Sequence, residues 1–446
     1  MPYNGEFSLR LAHPFRQGAW ILGDGRGPSQ ADVDILLAAP RTVRSIAGEH
    51  ALIFFHSQMG RLLLRAHHKG ITPLPIYAGT SFVLNKDSDP RTLELKSRQE
   101  INIGGYSYLF TYTEVAQSAQ YHAHHHDFMR RFHNSDWESI NALRAGLLNR
   151  IPDEQAVRLG RYSWSVGAFA AGTFGQFVAG TSISGEAIAV KKLKRPRSKS
   201  LKDIHNLMAH IGSHDHIVQL LEAFANMDAA IPEAYCFYRP FCVGTLFDTC
   251  LRGIPLPKFM RLAHHYFDAL TFLHDTKHVM HRDIKPANLG VQQLEPSHGV
   301  ILDLDDAIIA DSSTDHKKGT LEYLAPEVVA LKDEALKQQF AAEWELTFSG
   351  TYGPKNDCWA MGMSLYHGFV KRYHRGLITP EYVEKFGEDV QQRAESDSAW
   401  ELMARISLSL IVVDPDARWS AGEAVAALDT ILGPPRKRPA MESIGD

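Results

Sequence analysis

Eight consecutive residues, His281-Arg282-Asp283-Ile284-Lys285-Pro286-Ala287-Asn288, put a carboxylate, an ammonium group and a carboxamide into one short loop. Fifteen residues after Asn288 comes Asp303, at the end of the apolar run Val300-Ile301-Leu302. A carboxylate is the oxygen donor a hard divalent cation prefers. Upstream, Ala187-Ile188-Ala189-Val190-Lys191 is an apolar strand ending in lysine, sixteen residues after Gly175. Lys192 is the rival for that position, because strand alternation turns one of the pair inward and the other out. Gly172 and Gly175 lie in Phe169-Ala-Ala-Gly-Thr-Phe-Gly-Gln-Phe177. Glycine lets backbone N–H groups approach phosphate oxygens with no Cβ in the way. Each element answers a need of phosphoryl transfer, whose catalysis is positioning plus electrostatic stabilisation.

Found in this order over residues 159–430, these motifs resemble the eukaryotic protein kinase family. The resemblance implies that Asp283 accepts or orients the proton of a substrate hydroxyl and that Lys285 neutralises the transferring phosphoryl group. It implies Mg²⁺, or Mn²⁺, on Asn288 and Asp303. It also implies ATP held by Gly172, Gly175 and Lys191, with adenine at the Arg239 carbonyl and the Phe241 amide. Tyr238 then stands as gatekeeper. Lysine two residues after the aspartate is the serine/threonine pattern, and Thr320 matches the threonine that bridges Asp283 and Lys285. Glu327, Asp357 and Arg418 match structural positions: Arg418 as ion-pair partner of Glu327, Asp357 as anchor of the catalytic-loop backbone.

The sequence departs from the family at several places. No glutamate occurs between Lys191 and Glu222, so the helix acid that orients the lysine is missing or replaced by Asp203. Leu304-Asp305 stands where the family has Phe-Gly, and the side chain at Asp305 implies a stiffer metal loop. Ser312, Ser313 and Thr314 are candidate phosphorylation sites, with Arg282 as the phosphate's partner. Twenty-nine residues separate Glu327 from Asp357, and Lys332 to Glu345 there reads as helix. The function implied is a serine/threonine protein kinase moving the γ-phosphoryl group of Mg-ATP to protein hydroxyls. The alternative is a weak or inactive pseudokinase scaffold acting through nucleotide and protein binding.

The elements ahead of these motifs read differently. In residues 1–115 short apolar runs recur between turn residues, the rhythm of an antiparallel sandwich. Trp20-Ile-Leu-Gly23, Asp34-Ile-Leu-Leu37, Glu49-His-Ala-Leu-Ile53 and Gln99 to Tyr106 resemble a forkhead-associated (FHA) domain, a fold whose loops bind phosphothreonine. Its phosphate-binding positions are altered here. Gly-Arg becomes Gly23-Asp24, Ser-Arg becomes Ala47-Gly48, and the loop Asn becomes Lys69. Arg26, Arg41, Arg44 and Ser45 lie nearby but offset. Such a degenerate module implies either a phosphoprotein partner or an intramolecular brace on the kinase lobes.

Residues 116–158 form a helical, His-rich connector with His122, His124, His125, His126 and His133, read as solvated linker. Residues 431–446 are a disordered basic tail, and Arg436-Lys437-Arg438 suits nuclear import. The fold class expected is therefore multidomain: an all-β sandwich, then a two-lobed α+β kinase domain.

At 446 residues the chain exceeds what one hydrophobic core usually fills. Its 44% apolar and 22% charged residues exclude a wholly disordered chain or a rod. A net charge of -4 supplies no global drive toward nucleic acid or membrane. Four cysteines with no framework spacing read as reduced core thiols. Residues Met1 to Trp20 lack an apolar signal core, Pro2 excludes the myristoylation pattern, and no run of 18 apolar residues occurs, so a soluble intracellular protein is expected.

Overall fold

The computed structural model describes residues 9, 11, 18–24, 33–37, 45–47, 49–67, 76–78, 83–84, 92–132, 157–164, 170–171, 175–193, 198–226, 233–370 and 375–433. The chain divides into two compact units, Met1–Ser198 with Leu220–Phe241, and Lys199–Gln219 with Cys242–Asp446.

The first unit opens with a sandwich of β1 (Ala19–Gly23), β2 (Ile35–Leu36), β3 (Ala51–Phe55), β4 (Leu62–Ala66), β5 (Ile76–Ala78), β6 (Val83–Leu84), β7 (Thr92–Glu94), β8 (Arg98–Ile103) and β9 (Tyr106–Thr111). One sheet runs β2-β1-β3-β4-β7 and the other β6-β5-β8-β9. Pairing is antiparallel except at β1–β2. In β3 alternate residues are buried, Ala51, Ile53 and Phe55, the period of a strand with one face on a core. His50 is fully buried, and its Nδ1 accepts the Ala47 N–H at 3.0 Å. Asp24, standing where the FHA pattern has arginine, is also fully buried.

The helix of the connector, α1 (Ala119–Phe132), is docked rather than solvated. Phe128 stacks on Trp20 at 6.0 Å and packs edge-on to Phe55. His125 Nε2–H donates to the Gly60 carbonyl at 2.9 Å. Residues 125, 128, 129 and 132 share one helical face, and that face joins the sandwich core. The rest of the connector, including His133, lies outside the described residues.

A third sheet follows: β10 (Val157–Leu159), β11 (Tyr162–Trp164), β12 (Ala170–Ala171), β13 (Gly175–Ser182), β14 (Ala187–Leu193), β15 (Gln219–Asn226) and β16 (Glu233–Arg239). Its order is β10-β11-β13-β14-β16-β15, with β12 on β13. Tyr162 stacks on Phe237 at 4.1 Å over a core of Trp164, Ile188 and Val190. The sandwich touches the β13–β14 turn. Thr92 N–H donates to Ile183 O at 3.2 Å, and a Cβ on Gly185 (φ +82°) would lie 2.9 Å from Thr92 Cγ2.

The second unit is mainly helical. It holds α2 (Ser198–Ile211), β17 (Gly244–Thr245), α3 (Leu246–Arg252), α4 (Leu256–Thr271), β18 (Val279–Met280), β19 (Leu289–Leu294), β20 (Ser297–Ile301), β21 (Ile308–Ile309), α5 (Pro326–Lys332), α6 (Glu334–Trp344), α7 (Lys355–Val370), α8 (Pro380–Ser396), α9 (Glu401–Leu410) and α10 (Ala421–Leu432). Helix α7 is buried from Asn356 to Phe369, and its buried Asp357, Ser364 and His367 are hydrogen-bonded, as buried polar groups must be. Helix α6 starts where Asp333 caps the Leu336 N–H at 3.0 Å. Helix α10 starts on a capping box of Ser420 and Glu423, which satisfies two otherwise orphaned donors. Among the described residues no helix is long and apolar enough to cross a membrane.

Candidate active site

The loop after β18 is bent, with Arg282 in the left-handed region at φ 67°. A non-glycine residue persists there only when its surroundings hold it. Asp357, at the start of α7 and fully buried, supplies the hold. Its Oδ2 accepts the His281 N–H at 2.7 Å and its Oδ1 the Arg282 N–H at 2.8 Å. His274 Nε2 adds a third bond at 3.0 Å. Burial alone would lower the His274 pKa, but the hydrogen bonds and charges of Asp357 and Cys358 outweigh it and raise it to about 10. Burial likewise pushes Asp357 up, and the bond and charge of His274 bring it below the usual carboxylate value. The pair is therefore an imidazolium–carboxylate pair. His281 Nε2–H donates to Leu302 O at 2.9 Å, which ties this loop to the strand preceding Asp303.

Asp283 sits in a closed network. Its Oδ1 accepts the Thr320 hydroxyl at 2.7 Å, and its Oδ2 accepts Lys285 Nζ at 2.7 Å and Asn288 Nδ2 at 3.1 Å. Lys285 Nζ also donates to Thr320 Oγ1 at 2.9 Å. The structure thus brings Asp283, Lys285, Asn288 and Thr320 together. Gly319 precedes Thr320 at φ +85°, and a Cβ there would lie 2.7 Å from the Arg282 carbonyl. Only glycine permits that approach.

Asn288 spends its Nδ2 on Asp283, donating to the backbone oxygen at 2.8 Å as well, and so keeps Oδ1 as an oxygen donor. Asp303, half-buried at φ 55° and ψ 72°, supplies carboxylate oxygens. Oxygen donors of this kind fit Mg²⁺ or Mn²⁺. Asp305 lies in the following 3₁₀ turn, and the left-handed backbone falls on Asp303 instead. A side chain at position 305 therefore carries no left-handed strain in this conformation.

In the first unit, Lys191 is 1% exposed and its Nζ lies 5.1 Å from the Phe177 ring centroid. Lys192 turns outward to Glu233 at 2.6 Å. Alternation on β14 thus separates the two lysines, with Lys191 inside. Tyr238 is buried opposite Ala189, and Arg239 ends β16 exposed. Gly175 opens β13, while Gly172 lies outside the described residues. In the second unit, Asp203 is on an exposed face of α2.

The activation segment is pinned at Ser313. Its N–H and carbonyl exchange 2.9 Å bonds with Tyr352, whose hydroxyl donates to Asp315 O at 2.8 Å. Ser312 and Thr314 are exposed. Arg282 Nη1 faces Asp315 at 3.6 Å, and its Nε–H donates to Asp306 O at 2.6 Å. Lys318 reaches the buried Asp306 at 2.7 Å. Asp306, Asp315 and Lys318 were not singled out from sequence, because none belongs to a contiguous motif. Arg418 grips Glu327 with two bonds of 2.7 and 2.9 Å, both residues buried.

Comparison with known proteins places the chain in a family. The protein kinase domain family matches residues 166–427, and the chain belongs to that family. A Metarhizium anisopliae calcium/calmodulin-dependent protein kinase is 25% identical over 63% of this chain and 71% of its own length. The mouse phosphorylase b kinase gamma catalytic chain, liver/testis isoform, is 23% identical over 54% of this chain and 57% of its own. Human serine/threonine-protein kinase DCLK3 is 28% identical over 54% of this chain, which spans 35% of it. The crystal structure of Rad53 1-466 in complex with AMP-PNP superposes with a TM-score of 0.51 at 17% identity, covering 94% of this chain and 95% of that one. The fold is an N-terminal all-β, FHA-like sandwich followed by a two-lobed α+β protein kinase domain.

Proposed function

We propose that the protein is a serine/threonine kinase transferring the γ-phosphoryl group of ATP, with Mg²⁺, to protein hydroxyls. The observation that carries this is the Asp283 network, in which Lys285, Thr320 and Asn288 converge on one carboxylate. Asp283 receives the hydroxyl proton, and Thr320 with Lys285 fixes its rotamer. Lys285 neutralises charge on the moving group, and Lys191 holds the α- and β-phosphates. Asn288 and Asp303 hold the cation, which offsets phosphate charge when bound. Gly172, Gly175, the Arg239 carbonyl and the Phe241 amide bind the nucleotide, and Asp357, Glu327 and Arg418 keep the machinery in place.

A second reading, a nucleotide-binding scaffold, is favoured by one observation: no glutamate follows Lys191 before Glu222. For the β domain we favour the intramolecular brace over phosphothreonine capture. A phosphate needs cationic donors; Asp24 is a buried acid, and Ser45 Oγ is already committed to Gly104 O at 2.7 Å. The Thr92–Ile183 bond supports the brace. For the basic Arg436-Lys437-Arg438 the proposal is a nuclear import signal, the alternative being a plain solvated tail.

The test is a peptide library phosphorylated by the purified full chain, with Asp283→Asn beside it. Transfer to Ser and Thr but not Tyr, lost in the variant, is expected. Nucleotide binding by both proteins with transfer by neither establishes the scaffold.

A further inference from the structure

Away from the catalytic loop, the second unit gathers three histidines from three elements. His216 lies between α2 and β15, His265 on α4, and His298 on β20. One ring nitrogen of each lies within 4.8 Å of those of the other two. The rings of His216 and His265 stack at 4.0 Å and 11°, and His298 is 4.7 Å from the first and 5.4 Å from the second. Among the described residues no other group of three or more His, Cys, Asp or Glu side chains converges in this way.

Two of the rings have one nitrogen committed to a backbone carbonyl. His216 Nδ1 lies 2.9 Å from Gly299 O, and His298 Nε2 lies 3.1 Å from Asp215 O. A carbonyl only accepts, so each of these nitrogens carries the proton. The lone pairs then fall on His216 Nε2 and His298 Nδ1. A ring N–H donated to a backbone carbonyl is the usual support of a metal-bound histidine. His265 differs, since its Nδ1 accepts the Gly299 N–H at 3.2 Å. It joins the set by turning about its side-chain bonds and releasing that long contact.

We infer that His216, His265 and His298 form a binding site for one borderline divalent metal ion, Zn²⁺ in the first instance, with a fourth position left to water. Three imidazoles suit Zn²⁺, Co²⁺, Ni²⁺ or Cu²⁺ and not Mg²⁺. A Zn–N bond of ~2.0–2.1 Å in a tetrahedron sets nitrogens ~3.3 Å apart, so the trio, within 4.8 Å here, closes by at most about 1.5 Å on loading. The ion would tie the segment after α2 to α4 and to the β19–β20 hairpin. This site is independent of phosphoryl transfer, because none of its residues belongs to the catalytic set.

The test uses the full chain, stripped of metal with chelator, desalted, and titrated with Zn²⁺ and with Co²⁺. Expected are one tightly held equivalent, visible Co²⁺ bands of a low-coordinate nitrogen site, and a rise in unfolding temperature with Zn²⁺. His216→Gln and His298→Gln should each weaken binding by at least about tenfold and abolish the thermal shift, while circular dichroism stays native. A His124→Ala/His126→Ala variant, which alters the exposed His124 and the half-buried His126 of α1, should bind as wild type does. No retained equivalent in the wild type overturns the inference. So does metal lost only in the α1 variant, or affinity unchanged in well-folded His216→Gln and His298→Gln. The trio would then be a packed histidine stack.

Discussion

Arg282 of the catalytic loop points its guanidinium at Asp315 of the activation segment, 3.6 Å away. The arginine is nearly buried and the aspartate half-exposed. A carboxylate thus occupies the side of Arg282 where an activation-segment phosphate would bind. Changing Ser312, Ser313 and Thr314 together to Ala should therefore leave kcat/KM within about threefold, whereas Asp315→Asn should lower it about three- to tenfold and Asp315→Glu restore it. Steady-state kinetics on unphosphorylated protein check this. Strict dependence on a phosphate at any of the three sites contradicts it.

Thr320 bridges Asp283 and Lys285 through one hydroxyl. Thr320→Val keeps the shape and removes the bridge. Its kcat should fall about 10- to 100-fold with the ATP KM little changed, because lost positioning affects the chemical step. Thr320→Ser should recover most of the rate. A kcat for the valine variant equal to wild type sinks the role given to this residue.

Glu327 and Arg418 form a bidentate pair with both partners buried. Removing one partner strands the other charge. Glu327→Ala should destabilise the second unit by about 3–5 kcal/mol, read as a lower urea midpoint. A shift below about 1 kcal/mol, the worth of an exposed pair, would show that water compensates Arg418.

His274 makes the pH dependence directional. Its folded pKa, about 10, lies above the unfolded value of about 6.5. The folded state therefore keeps a proton that the unfolded state sheds, and stability is full below pH ~6.5 and falls by up to about 1.4 kcal/mol per pH unit toward pH 10. Asp357 has a depressed pKa, so its share is present above pH ~4 and lost only in acid. His274→Gln should flatten the decline between pH 7 and 9 while lowering stability throughout. An unchanged slope in that variant assigns the pH dependence elsewhere.

Legibility in the sequence followed contiguity. The catalytic loop, Asp303 and the strand carrying Lys191 lie in linear motifs. Asp357, Glu327 and Arg418 were legible only through family resemblance, since they meet across long loops. The Arg282–Asp315 and Lys318–Asp306 contacts, the His274–Asp357 pair and the three-histidine cluster form by tertiary convergence and leave no local pattern. Helix α1 misled for a different reason: its histidines look solvated by composition, yet His125, Phe128, Met129 and Phe132 recur at helical spacing. The sequence likewise does not say which residue of the metal loop takes the left-handed backbone; here it is Asp303.

The most direct test of the central claim is intact mass. Phosphatase-treated full chain is incubated with ATP and Mg²⁺ or Mn²⁺, with and without a generic Ser/Thr substrate protein, beside Asp283→Asn. The account predicts whole phosphoryl increments on wild-type chain or substrate and none with the variant. Nucleotide binding without any increment, with either metal, would contradict it.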